Sequence, residues 1–304
     1  MMRGADGLTV IYIAGMQNSG STLLEALLCD APGVQGLGEV AGLHRYRGAT
    51  ICDCGEPAAS CGPCRAAVGV LEEDLDRALA LHALPMGGRC LHWVVVPMPA
   101  RRRYAELVGR VLAAVAVESG RRVLVDSSKN VGRLAALLGT GAQDVRVIHL
   151  VRDPRGVLQS RIRRAGRLGR RERFATVLAR WLGKNVLIGT VLRLRAGRGR
   201  FLLVRYEDLM ADPPGELDRI GRFAGIDTAG LAERAASTGV ARSHLFEPPR
   251  GVDYRVVQLE PSRLAEQRLP SKQRLQYWLA GGFASALWGY DLSQSYAVEP
   301  GAHR

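Results

Sequence analysis

Apolar residues along the chain follow two rhythms, and their alternation predicts the architecture. Leu8-Thr-Val-Ile-Tyr-Ile-Ala14 is a short β-branched run that reads as a buried strand. A glycine loop, Gly15-Met-Gln-Asn-Ser-Gly20-Ser-Thr22, follows at once and leads into the helical repeat Leu23–Leu28. That helix ends near Asp30-Ala-Pro-Gly33, and the chain passes through Gly36-Leu-Gly-Glu39 as loop. Helical periodicity returns over about 65–84 and 101–118. Arg122–Asp126 is a second strand, with Ser127 and Ser128 as candidate caps of a helix over Asn130–Leu138. Asp144–Val151 is a third strand, ending on Arg152-Asp-Pro154 before a helix over Arg155–Arg163. A long helix over 172–197, a fourth strand over Arg200–Val204 and helices over 213–224 and 271–285 complete the pattern, and a loose tail runs from Ser293.

Strands alternating with helices predict an α/β fold. The expected form is a three-layer sandwich with a central parallel sheet, helices on both faces and ligands at the strand C-termini. No repeat or break in composition divides residues 1–304, so one domain is expected, with its core over about 8–290 and a cysteine-rich insertion at 52–64. The longest apolar stretches, such as Val10–Ala14 and Trp93–Val96, are too short to cross a bilayer, and no charged-then-apolar leader opens the chain. A soluble, cytoplasmic protein without a membrane partner is the expectation.

The formal net charge of +13 suits a polyanionic partner. Nearly all the positive charge is Arg, with only Lys129, Lys184 and Lys272 as lysines, a bias of GC-rich, bacterial-type coding sequence. No aromatic-interleaved basic stripe or helix-turn-helix pattern supports nucleic acid as the partner, so the charge is assigned to a small polyanion. Four of the six cysteines fall in one stretch, Cys52-Asp-Cys54 and Cys61-Gly-Pro-Cys64. In a reducing compartment that density fits a structural zinc loop, with reduced thiols or a disulfide clip as the alternatives.

Gly15 to Thr22 nearly satisfies the phosphate-loop pattern G-x-x-x-x-G-K-[ST], except that Ser21 stands where the lysine belongs. Without that lysine the loop is poorly equipped for a nucleoside triphosphate. Backbone N–H groups and the hydroxyls of Ser19, Ser21 and Thr22 at a helix N-terminus still suit one 5′-phosphate or phosphosulfate. A second constellation is His149-Leu-Val-Arg152-Asp-Pro-Arg155 through Ser160, in which Arg152 at a strand end and Ser160 in the following helix can face one anion. His149, inside a strand, reads as a satisfied core histidine.

These residues resemble the sulfotransferases that use 3′-phosphoadenosine-5′-phosphosulfate (PAPS). Gln17-Asn18-Ser19-Gly20-Ser21-Thr22-Leu-Leu24 is similar to their 5′-phosphosulfate loop, and His149–Gly156 with Ser160 is similar to their 3′-phosphate motif. Val204-Arg-Tyr-Glu-Asp-Leu209, followed by Asp212-Pro213, resembles a stretch late in that fold. The resemblance implies a P-loop nucleoside-kinase-like fold, PAPS as co-substrate, a small-molecule acceptor and no catalytic metal. Relatives carry Lys or Arg where this chain has Asn18, so either Asn18 supplies a neutral hydrogen bond to the leaving phosphate or another cation, Lys129, replaces it. Glu39 corresponds to the base glutamate of some relatives, with His44 and Asp126 as the other candidate bases. Arg250 lies in Glu247–Arg255, which resembles the late loop that closes over the nucleotide. The rival readings are a small-molecule kinase of the related fold, a non-enzymatic nucleotide-binding or nucleic-acid-binding protein, and a relative with a changed donor.

Overall fold

The computed structural model describes residues 7–40, 52, 54, 56–72, 98–140, 144–167, 173–197, 199–239, 271–272, 275–277 and 286–290. Five strands form one parallel sheet: β1 (Thr9–Gly15), β2 (Val34–Gly36), β3 (Val123–Asp126), β4 (Asp144–Val151) and β5 (Phe201–Arg205), in the order β2-β3-β1-β4-β5. The register pairs Thr9 with Val123 and Asp144, Val34 with Val123, and Val147 with Phe201. Because every pairing is parallel, all five C-terminal ends emerge on one edge.

The described helices are α1 (Ser21–Cys29), α2 (Gly62–Glu72), α3 (Met98–Ser119), α4 (Val131–Thr140), α5 (Pro154–Arg167), α6 (Phe174–Arg195), α7 (Tyr206–Ala211), α8 (Pro213–Ala224) and α9 (Leu231–Thr238). Alternation along β1 divides them between two faces. Val10, Tyr12 and Ala14 join one core with residues of α2, α3, α4 and α6. Ile11 and Ile13 join the other with residues of α1, α7, α8 and α9. The central strand is therefore apolar throughout, as a strand covered on both faces must be. A third cluster gathers Met16 and Val151 with Trp181, Trp288 and Tyr290, and closes the side of the sheet next to α6.

The three-layer α/β expectation holds, and the four strands expected from the sequence lie within one residue of those observed. β2 occupies Val34–Gly36, where no strand was expected. Three residues ending in glycine carry no period of their own, and pairing with β3 makes them a strand. The helix after β3 is capped by Asn130, whose Oδ1 accepts from Arg133 N at 3.0 Å. Ser127 and Ser128 are engaged elsewhere: Ser127 Oγ donates to Glu25, and Ser128 N donates to Asp126 Oδ1. α7 and α9 were not expected, each being too short for its periodicity to stand out. Residues 73–97, most of the expected helix over 271–285 and the tail from Ser293 lie outside the described residues.

Candidate active site

Read across the sheet, the strand ends deliver in turn Glu39 after β2, Lys129 after β3, the glycine loop after β1, Arg152 after β4 and Tyr206 after β5. The loop is held open by backbone geometry. Gly20 has φ 94°, a left-handed conformation that glycine adopts freely, and it is the N-cap of α1. Among the described residues no side chain caps that helix end, so its first N–H groups are open to the loop. Ser21 is buried, Thr22 is half-buried and Gln17 is exposed. Ser19 is buried too, and its Oγ has no hydrogen-bond partner among the described residues. An unsatisfied hydroxyl beside uncapped N–H groups is suited to an anion.

Asn18 also has a positive φ, 69°, which Asn tolerates better than Lys or Arg. Its carbonyl accepts a hydrogen bond from Arg152 Nη1 at 3.2 Å, tying the loop to the end of β4. The Arg152 guanidinium carbon lies 4.1 Å from the centre of the Tyr206 ring. That ring also abuts Gly20, where an added Cβ would come within 2.4 Å of it. Arg152 Nε is buried with no hydrogen-bond partner among the described residues, and Trp181 Nε1 donates to the Arg152 carbonyl at 2.7 Å. Tyr206 thus flattens the guanidinium against the loop, a role that its sequence neighbourhood alone did not reveal. Ser160 is half-buried in the second turn of α5.

The turn into α5 is equally braced. Arg155 forms a buried ion pair with Asp153 at 2.6 Å, and Asp153 N donates to Glu207 Oε1 at 2.9 Å. Glu207 accepts from the Tyr290 hydroxyl at 2.6 Å, and burial, reinforced by the charge of Asp153, raises its pKa. Asp126, weighed above as a base, is fully buried and paired with Arg133 at 2.6 Å. It holds the 127–130 turn rather than facing the strand-end crevice. His149 is buried with Nε2 3.1 Å from Asn185 Oδ1, and burial pushes its pKa down to about 4, so it is a neutral core histidine. Arg250 and His44 lie outside the described residues.

Lys129 and Glu39 meet in an ion pair between Nζ and Oε1. The Lys129 side chain is 5% exposed and that of Glu39 is 37% exposed, so the pair bridges the protein interior and the crevice. Lys129 sits at φ 56°, held by the neighbouring turn: the Tyr12 hydroxyl donates to Asn130 O at 2.7 Å and accepts from Asn130 N at 2.8 Å.

Glu25, which the sequence hid inside an apolar helix, connects these parts. Fully buried in α1, it accepts from Leu37 N at 3.1 Å, Gly38 N at 2.6 Å and Ser127 Oγ at 2.5 Å. One carboxyl therefore fastens the segment that carries Glu39 and the turn that carries Lys129 to the helix of the glycine loop. Burial pushes its pKa up to about 7, against the pull of its hydrogen bonds to Ser127 and Gly38 and the charge of Lys129. The folded value exceeds the unfolded one, so Glu25's contribution to stability is full below about 4.5 and is lost as the pH rises through about 7. Glu25→Gln, which keeps an acceptor for both backbone N–H groups, is expected to gain stability relative to wild type between pH 5 and pH 8. The gain should reach on the order of 3 kcal/mol. Urea unfolding of both proteins across that range measures it, and a gap that does not change with pH would contradict it.

A sulfotransferase family model matches residues 11–230, which include all the strand-end residues above and every strand except the first two residues of β1. The chain belongs to the sulfotransferase family. Among curated sulfotransferases, human carbohydrate sulfotransferase 6 is 30% identical over 166 residues, 48% of this chain and 40% of that protein. Human carbohydrate sulfotransferase 3 is 31% identical over 175 residues, 51% of this chain and 35% of that protein. The chain thus spans two-fifths or less of the length of these relatives. Two solved structures share the fold. The sulfotransferase domain of the Synechococcus PCC 7002 olefin synthase has a TM-score of 0.54 at 23% identity, covering 93% of this chain and 95% of that one. The sulfotransferase domain from the curacin biosynthetic pathway has a TM-score of 0.51 at 18% identity, covering 90% and 97%. Their fold is the P-loop nucleoside-kinase-like sandwich described above. Among the described residues of this family member, no helix is long and apolar enough to cross a membrane.

Proposed function

We propose that the chain moves a sulfuryl group from PAPS to a hydroxyl or amine of a small acceptor. The observation that carries the reading is the row of strand ends, which puts a loop for one phosphate between a lysine–carboxylate pair and a stacked arginine. The donor's 5′-phosphosulfate would lie on the N–H groups of α1 with Ser19, Ser21 and Thr22, and its 3′-phosphate between Arg152 and Ser160. Gln17, Asn18 and Gly20 would shape the loop, and Arg250 would reach the nucleotide from the late segment.

In the reaction the acceptor oxygen or nitrogen forms a bond to sulfur. The bond from sulfur to the bridging phosphate oxygen breaks in line with it, and adenosine 3′,5′-bisphosphate leaves. Lys129 supplies the charge that the loop lacks at Asn18, drawn from Glu39 toward the oxygen on which negative charge develops. Glu39, half-exposed beside it, takes the acceptor's proton. Asn18 contributes its backbone carbonyl to Arg152 and its left-handed turn to the loop, so its side chain need not act as the cation. The named curated relatives are carbohydrate sulfotransferases, which makes sugar hydroxyls the first acceptors to screen.

Calorimetric titration with adenosine 3′,5′-bisphosphate, 5′-AMP and ATP with Mg²⁺ tests the reading. The bisphosphate is expected to bind at least about 100-fold more tightly than 5′-AMP, since a second charged phosphate is worth about 3 kcal/mol when fully paired. Tighter binding of ATP with Mg²⁺ would replace this reading with a kinase.

A further inference from the structure

We infer that Cys52, Cys54, Cys61 and Cys64 form a structural zinc site of four thiolates, which pins the segment before α2 onto the face of the sheet covered by α3. The inference rests on sulfur geometry and is independent of the donor reading. The Sγ atoms of Cys52, Cys54 and Cys61 all lie within 4.8 Å of one another, and those of Cys52 and Cys61 are 3.7 Å apart. A tetrahedral zinc ion with Zn–S bonds of about 2.3 Å requires an S–S edge of about 3.8 Å. A disulfide requires about 2.05 Å. Cys64 Sγ, in the first turn of α2, interacts with Cys52 and Cys61 but lies more than 4.8 Å from at least one of the three other sulfurs, so it closes in to become the fourth ligand when the metal binds.

The backbone builds the two halves of this site in the manner of a zinc loop. Cys52 N donates to Glu56 O at 2.8 Å, curling the first half so that Cys54 returns toward Cys52. Ser60 N and Cys61 N both donate to Pro57 O at 2.9 Å, and this turn feeds directly into α2. The spacing of Cys61 and Cys64, three apart across a helix start, places both sulfurs on one side. Cys52, Cys61 and Cys64 are buried within the core shared by Tyr104, Leu107, Val108 and Val111 of α3, while Cys54 is half-buried. The connecting residues are Gly, Pro, Ala, Ser, Asp and Glu, which have little apolar surface with which to hold a fold. A metal supplies what they lack. α2 is also fastened at its start by the Arg65–Glu118 ion pair at 2.8 Å, and a Cβ at Gly62 would lie 2.8 Å from the Glu118 carboxylate. Binding releases the thiol protons and changes no oxidation state.

The test is elemental analysis of full-length protein grown in zinc-supplemented medium, purified under reducing conditions and desalted. About one zinc per chain is expected, with loss to below about a tenth in Cys52→Ser/Cys61→Ser and retention in Cys29→Ser, whose cysteine lies in α1. The cobalt-substituted wild type keeps the inference testable if the double variant fails to fold. It should show intense visible d–d bands and a near-ultraviolet thiolate charge-transfer band, the signature of tetrahedral sulfur ligation. Sub-stoichiometric zinc in the reduced wild type, zinc retained by the double variant, or weak six-coordinate cobalt bands would each overturn the inference.

Discussion

Arg152→Ala is expected to lower the affinity for adenosine 3′,5′-bisphosphate by about 100-fold while leaving that for 5′-AMP nearly unchanged. A guanidinium paired with a phosphate contributes about 3 kcal/mol, and about 1.4 kcal/mol corresponds to each factor of ten. Little of the loss should come from misfolding. Trp181 holds the backbone carbonyl of Arg152 rather than its side chain, so the end of β4 keeps its anchor in the variant. Arg152→Lys should recover only part of the affinity, because an ammonium neither lies flat on Tyr206 nor reaches phosphate bidentately. Calorimetry with the two nucleotides side by side separates these cases. Equal losses for both would show that Arg152 shapes the loop through Asn18 without reading the 3′-phosphate.

Lys129→Ala carries the second large effect, a fall in turnover of about 100- to 1,000-fold with donor affinity changed far less. The slow release of sulfate from PAPS into water gives a measure that needs no acceptor. Glu39→Gln should slow that hydrolysis less than transfer to an added acceptor hydroxyl, because attacking water can pass its proton to surrounding solvent whereas a bound acceptor hydroxyl relies on Glu39 to take it. In transfer, the double variant should fall short of the product of the two single effects, since the partners share one ion pair. Strict multiplicativity would mean that the two residues act independently and that their ion pair does not couple them in transfer.

The four strands with continuous apolar runs could be read from the sequence, as could the loop and arginine that end two of them: β1, β3 and β4 are largely buried, and β5, half-buried at the end of the strand order, still carries an apolar run. β2 could not, because its identity rests on pairing with β3 across a long insertion. The Lys129–Glu39 meeting was foreseeable only as two separate candidates, since their contact depends on β2 lying beside β3. Glu25 gave one faint signal, an ionisable residue among Leu24, Leu27 and Leu28, all fully buried. Nothing in the one-dimensional pattern shows that three donors from two other segments converge on it. Tyr206 was part of a quoted motif, yet its use depends on Gly20 having no Cβ and on Arg152 lying flat above the ring.

The left-handed backbone at Lys129 bears on how this chain can be improved or spoiled. A lysine held at φ 56° costs roughly 1 kcal/mol that glycine would not incur, and asparagine would incur less of it. A library screened only for survival on heating would therefore be drawn toward glycine at this position, discarding the lysine that pairs with Glu39. Any consensus built from such survivors would describe a sturdier protein that had given up its chemistry, so directed evolution here has to score turnover in every round.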